Sequence, residues 1–122
     1  MKKIFILAVI AFSTIYNAAA LDLNDYTVFS KLNNEKTLNS LSKYLNADQE
    51  QKERLEYVFT LTDKKIKNAL TKEDEQAAEQ AMWFNLANAK SILSEEQYKK
   101  YLVSLNMTLN SMNDNSEFFA EK

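Results

Sequence analysis

The sequence predicts an all-α fold: two long antiparallel helices form a hairpin with a shorter helix flanking each end, closing as a three- to four-helix bundle or a bent, more open layer. Three observations lead there. The 122 residues include no glycine and no proline, the residues that most often interrupt helices. Ala, Leu, Lys, Glu and Gln dominate the middle of the chain, and most of these lose little side-chain freedom in a helix. Apolar residues there recur three and four apart, which gathers them on one side of a helix instead of alternating them across a strand.

Residues 1–20 stand apart from this pattern. Lys2 and Lys3 give a charged start, residues 4–16 are mostly apolar, and Ala18-Ala19-Ala20 supplies small residues, as in a cleaved secretory signal. A membrane span needs about 20 apolar residues, more than this run supplies, and Asn17 interrupts its end. The expected product begins at Leu21, is periplasmic or secreted, and has no membrane attachment after cleavage; no Cys follows the cleavage site to carry a lipid. Taking 20 from 122 leaves 102 residues, and losing Lys2 and Lys3 moves the formal charge from -2 to -4. A chain of that length supports one core, burying about 60 to 70% of its unfolded surface.

Residues 21–34 are ambiguous: Asp25 is placed to cap a short helix carrying Tyr26, Phe29 and Leu32, which Asn33-Asn34 would end. Residues 35–112 form the expected helical domain. Its first helix covers residues 35–45, with Leu38, Leu41, Tyr44 and Leu45 at helical spacing. The clearest helix spans residues 47–70, where Leu55, Val58, Phe59, Thr62, Ile66, Ala69 and Leu70 share one stripe. The next, over residues 72–93, has Ala78, Met82, Leu86, Ala89 and Ile92 on its main side. Ala81, Trp83 and Phe84 widen its apolar arc, as though it packs from more than one direction. The last, over residues 95–112, aligns Tyr98, Tyr101, Leu102, Leu105, Leu109 and Met112; its two tyrosines read as packing residues with hydroxyls at the rim. Residues 113–122 read as a flexible tail with Phe118-Phe119 its adhesive part. With no glycine present, asparagine is expected at left-handed turn positions.

One pattern occurs twice. Leu45-Asn46-Ala47-Asp48-Gln49 and Leu93-Ser94-Glu95-Glu96-Gln97 both read as Leu, a capping residue, two variable positions and Gln. Asn46 or Ser94 would accept from a backbone N–H one turn on, while Gln49 or Gln97 reaches back to the cap. Leu93 is placed to pack on Tyr98 as a hydrophobic staple, and a looser copy, Leu70-Thr71-Lys72-Glu73-Asp74, offers Thr71 as a cap. On these motifs residues 41–110 resemble the Spy and CpxP type periplasmic helical proteins, which carry a repeated Leu-Thr-x-x-Gln. The resemblance implies a bent helical hairpin, often paired into a cradle-shaped homodimer, that binds partly unfolded proteins. This chain departs from that family in its acidic balance and in lacking the His ligands of the metal-responsive members.

Composition removes much chemistry. Without His or Cys the chain lacks the commonest general base, the commonest transition-metal ligand and the thiolate nucleophile. Without Gly it has no usual phosphate-cradling loop or nucleophile elbow. Its one arginine, Arg54, and acidic balance argue against nucleic acid. The expectation is a non-enzyme with no cofactor and no metal. The clusters Glu73-Asp74-Glu75 and Lys64, Lys65, Lys67 read as solvated helix faces, and Asn106-Met107-Thr108, a formal glycosylation triplet, lies inside a helix. Trp83 and Phe84 leave the main stripe of their helix, as Tyr57 and Leu61 leave theirs. Either the N-terminal segment or the tail covers these four, or they form an open protein-binding patch. The expected partners are other exported proteins, as unfolded clients or one specific receptor, with a homodimer possible in the cradle form. The expected function is a chaperone-like or stress-response binder of exposed apolar segments; the alternative is a secreted structural or receptor-specific module.

Overall fold

A computed structural model of the protein describes residues 22–114, so the readings of residues 1–20 and of the tail with Phe118-Phe119 lie outside the described residues. A 3-10 turn, Leu23–Thr27, runs into α1, Val28–Lys31. Then follow α2, Glu35–Leu45; α3, Gln49–Thr71; α4, Glu75–Ile92; and α5, Glu95–Asp114. No strand occurs among the described residues, and the all-α helical bundle is the fold.

The four longer helices, α2 to α5, each begin where a side chain can satisfy a first-turn amide. Asn34 Oδ1 accepts from the Thr37 N–H at 3.1 Å to open α2, and Asp74 Oδ1 accepts from the Ala77 N–H at 3.1 Å to open α4. Thr71 is therefore not the cap of α4. It closes α3, where its hydroxyl donates to the Lys67 carbonyl at 2.9 Å. The turn after it needs one left-handed residue, and Glu73 supplies it at φ 53°. The Asp74 N–H then reaches the Ala69 carbonyl at 2.8 Å and the Glu73 N–H reaches that of Leu70 at 3.0 Å, a Schellman closure. At the end of α2 the same closure uses Asn46, at φ 60° and ψ 42°, a type of residue that tolerates this region well.

Segment 22–34 is an integral part of the core. Tyr26, Val28, Phe29 and Leu32 are all buried, Val28 and Phe29 completely. They pack where the 3-10 turn and α1 meet α3, α4 and α5. Burying side chains of this size contributes about 1.5 to 3 kcal/mol each, which holds in place a segment too short to be helical alone. Asp25 is not the N-cap, which is Asp22; it lies inside the 3-10 turn and completes the capping box, its Oδ2 accepting from the Asp22 N–H at 2.8 Å.

α3 and α4 form the antiparallel hairpin, with the most extensive contact between any two elements. Their stripes bury as spaced, although Leu70 and Ile92 stop at half-buried. α2 and α5 pack together, and α5 also meets α1, α3 and α4. The Phe59 and Tyr101 rings stack across the α3–α5 contact with centroids 6.0 Å apart. Tyr44 departs from the expected face of α2: it is 46% exposed, with the Lys100 ammonium 5.6 Å from its ring centroid.

Candidate functional site

The Lys65 ammonium lies 4.8 Å from the Phe84 ring centroid, which fixes how α3 and α4 meet along the outer flank of the hairpin. Leu61 is one turn before Lys65 on α3, and Tyr57 one turn before that. Leu61 and Phe84 are half-buried, with Phe84 resting against the core, while Tyr57 is 67% exposed. Asn88, one turn beyond Phe84, turns its amide back to donate to the Phe84 carbonyl at 2.7 Å. Three of the four expected contact residues thus share one flank. Trp83 does not join them: successive helical residues turn by about 100°, so it projects to another side of α4, where it is 38% exposed. The described N-terminal segment lies on the far side of α3, where Asn33 Nδ2 donates to Asp63 at 3.0 Å, and does not cover the flank.

Inside the bundle, Thr62 of α3, Asn85 of α4 and Tyr101 of α5 meet with no solvent exposure. The Tyr101 hydroxyl donates to Asn85 Oδ1 at 2.5 Å. Asn85 Nδ2 donates to Thr62 Oγ1 at 3.2 Å, and that hydroxyl donates in turn to the Val58 carbonyl at 2.7 Å. Burial pushes the Tyr101 phenol far above its ordinary range, with the Asn85 hydrogen bond acting the other way. The hydroxyl expected at the rim sits instead in the interior as a neutral donor. Asn85 carried a sequence signal, since it falls on the stripe of Met82, Leu86 and Ala89. A buried amide in that stripe requires partners on the facing helices.

Asp63, 9% exposed, ties the N-terminal segment to α3 through Asn33 and pairs with Lys67 at 3.2 Å. Burial would raise its carboxyl, but the hydrogen bonds from neighbours such as Asn33 and Lys67, together with the Lys67 charge, hold it below the usual range.

The capping motif is present in a different register from the expected one. α3 opens on Asp48, whose Oδ1 accepts from the Gln51 N–H at 2.8 Å while Gln51 Oε1 accepts from the Asp48 N–H at 2.9 Å. Asn46, read as the cap, ends the preceding helix instead. Gln49 does not reach back; its amide donates to Glu53 at 3.0 Å on the surface. At the second copy Ser94 and Gln97 behave as read, with Gln97 N–H to Ser94 Oγ at 3.1 Å and Ser94 N–H to Gln97 Oε1 at 2.9 Å. Leu93 and Tyr98 are both buried there.

The two boxes interlock. Gln51 Nε2 donates to Gln97 Oε1 at 2.8 Å, and Gln97 Nε2 to Gln51 Oε1 at 3.2 Å, across 46 residues of chain. Each amide also reaches the chain entering the other helix: Gln51 to the Ile92 carbonyl at 3.1 Å, Gln97 to the Leu45 and Asn46 carbonyls at 3.2 Å. One pair of glutamines thereby caps two helix starts and satisfies carbonyls at two helix ends. The missed signal was Asp48 three residues before Gln51, a second cap pattern as good as that of Asn46 and Gln49.

Among the described residues no helix is long and apolar enough to cross a membrane. No protein-family model, curated protein or solved structure matches the chain.

Proposed function

We propose that this chain is an exported helical interaction protein that holds exposed apolar segments of other exported proteins, in the manner of a chaperone or stress-response binder. The observation that carries the reading is the outer flank of the α3–α4 hairpin: Tyr57 stands 67% exposed beside half-buried Leu61 and Phe84. A tyrosine held in water next to partly covered apolar side chains is a common arrangement at protein-binding surfaces. The signal-like residues 1–20 support export. Leu93-Ser94-x-x-Gln97 resembles the Leu-Thr-x-x-Gln of Spy and CpxP type proteins and supports the reading, while the first box forms on Asp48 and Gln51, with Ala47 where that motif has Leu. The action is adhesion, with no covalent step.

The test is aggregation of a reduced, denatured client followed by light scattering. Residues 21–122 should slow it, and Tyr57→Ala combined with Leu61→Asp should abolish the effect while circular dichroism stays unchanged. A client that aggregates equally fast with and without the protein refutes the reading. The buried Thr62–Asn85–Tyr101 relay favours a second reading, a rigid module for one folded receptor, because such a network specifies one packing. Breadth of binding separates the two: many unfolded chains held weakly, or one folded partner held tightly.

A further inference from the structure

The flank that carries Tyr57 has a charge pattern unlike the rest of the chain. From Arg54 onward the outer stripe of α3 presents Tyr57, Leu61, Lys64, Lys65 and, just past the helix end, Lys72, at the three- and four-residue spacing of one helical side. The carboxylates of the stripe lie at its start: Glu50, which pairs with Arg54 at 3.8 Å, and Glu53, one turn before Tyr57. The facing stripe of α4 is Ala77, Gln80, Phe84, Ala87, Asn88 and Ser91, with no charge at all. The carboxylates of α4 lie around the other side, where Glu75 and Glu79 act on the buried phenol of Tyr26. The 3-10 turn and α1 pack on the inner and far sides of the hairpin, so this seam is unpartnered among the described residues.

We propose that the seam binds an acidic polypeptide segment bearing aliphatic or aromatic side chains, which lies along α3 with its apolar groups on Leu61, Phe84 and Tyr57 and its carboxylates on Lys64, Lys65 and Lys72. This deepens the proposed function and rests on it. Charge complementarity sets the occupant. The chain is acidic overall, at formal charge -2, yet from Tyr57 to Lys72 this strip carries three lysines and no carboxylate. The three lysines are exposed, and a second layer of peptide would bring anions within reach of them while its apolar groups cover the seam floor. Lys65 already uses its charge on the Phe84 ring, so an incoming carboxylate meets an ammonium placed directly over the apolar floor. A narrow segment fits better than a broad anionic surface, which would also press against Glu50, Glu53 and Glu73, all exposed at the margins.

Fluorescence anisotropy tests this on residues 21–122, which contain every core residue described. Two short labelled peptides share one apolar pattern of Leu and Phe and carry either Glu or Lys at every other position. The Glu peptide should bind about tenfold more tightly at low salt, and the preference should shrink as salt rises. Each charge reversal in the series Lys64→Glu, Lys65→Glu, Lys72→Glu should weaken it by roughly two- to fivefold, and the triple variant should prefer the Lys peptide. Because these side chains are exposed, circular dichroism should be unchanged throughout. Equal binding of the two peptides, or a preference that survives the triple reversal, overturns the proposal. Phosphatidylglycerol vesicles bound with the same lysine dependence, when neither peptide binds, would also overturn it by assigning the strip to lipid. If clients are still protected from aggregation by the triple variant, the broader reading stands and the charge selection alone fails.

Discussion

Removing one oxygen from the interior tests the buried relay most directly. Tyr101→Phe leaves the ring stacked on Phe59 but takes away the hydroxyl that donates to Asn85 Oδ1 at 2.5 Å. Asn85 is fully enclosed, so its carbonyl oxygen would lose this donor where water does not reach. An orphaned buried acceptor costs about 1 to 3 kcal/mol. Taking about 2 kcal/mol, the midpoint of thermal unfolding falls by roughly 8 to 16 °C for a domain of this size. Asn85→Ala is costlier alone, about 2 to 4 kcal/mol, because it orphans the Tyr101 hydroxyl and opens a cavity. The pair together leaves no orphan, since the Thr62 hydroxyl keeps the Val58 carbonyl at 2.7 Å. The double variant should then cost clearly less than the two singles summed, with a coupling of at least about 1 kcal/mol. Urea unfolding of all four proteins, followed by helical circular dichroism, gives the cycle. Singles that add to within about 0.5 kcal/mol of the double would refute the relay as a coupled unit.

Other consequences of the geometry can be measured in the same way. Gln97→Ala should lower stability by about 1 to 3 kcal/mol and Gln51→Ala by a similar amount, whereas Gln49→Ala should stay within about 0.5 kcal/mol, because only the first two hold the interlocked caps. Equal effects at Gln49 and Gln51 in urea unfolding would contradict the shifted register. Glu73→Gly, at φ 53° in an exposed turn, should raise stability by about 0.5 to 1 kcal/mol through relief of the left-handed backbone; a loss of stability would show that the Glu73 side chain contributes more than its backbone costs. Desolvation, then the Glu79, Glu75 and Asp25 charges, push the Tyr26 phenol from 10.0 up to about 12. The unfolded chain therefore loses this proton first, so the contribution is whole below about pH 10 and is lost as pH rises toward about 12. Tyr26→Phe should flatten that part of the alkaline stability curve, and a curve identical to that of the unaltered chain would dismiss the argument.

Periodicity made the long elements legible. The stripes of α3 and α5 came through because nothing but burial explains seven or six apolar residues at helical spacing, and burial is what the structure shows for most of them. Boundaries were harder. Residues 46 to 48 offer both Asn46 and Asp48 as caps, and local preference does not separate them. The choice falls on Asp48 because Asn46 is needed in the left-handed position that closes α2. Tyr44 shows the same limit on one side chain: its spacing fits the core, but Leu41 and Leu45 fill the contact and the ring turns outward under Lys100. The buried polar residues were the least readable: Asp63 looks like a surface residue until Asn33, thirty residues away, is in place, and the stripe that marks Asn85 as buried does not name its partner on a third helix. Of the four expected contact residues, spacing alone paired Tyr57 with Leu61 correctly. It could not tell that Phe84 turns to them and Trp83 away, because that depends on how α4 is rotated against α3.

That rotation is held by polar contacts as well as by packing. Leucine and alanine stripes tolerate sliding, since one apolar contact replaces another at little cost. A slide of one helical turn, about 5.4 Å, would part Asn85 from both Thr62 and Tyr101 and leave the Asn85 amide and the Tyr101 hydroxyl buried without these partners. The Gln51–Gln97 pair imposes a second constraint at one end of the bundle, where three backbone carbonyls and the two glutamine side-chain amides would lose their partners. Two pins at different heights fix both the register and the rotation of α3 against its neighbours. The outer flank with Tyr57, Leu61 and Lys65 is the reverse side of the same helix that carries Thr62 inward, so its geometry is set by the interior. A surface held this way presents the same arrangement before and after a partner arrives. If an unfolded segment binds there, as proposed, the ordering falls to the segment and the helical face is its template; a folded receptor would meet the same face with little ordering on either side.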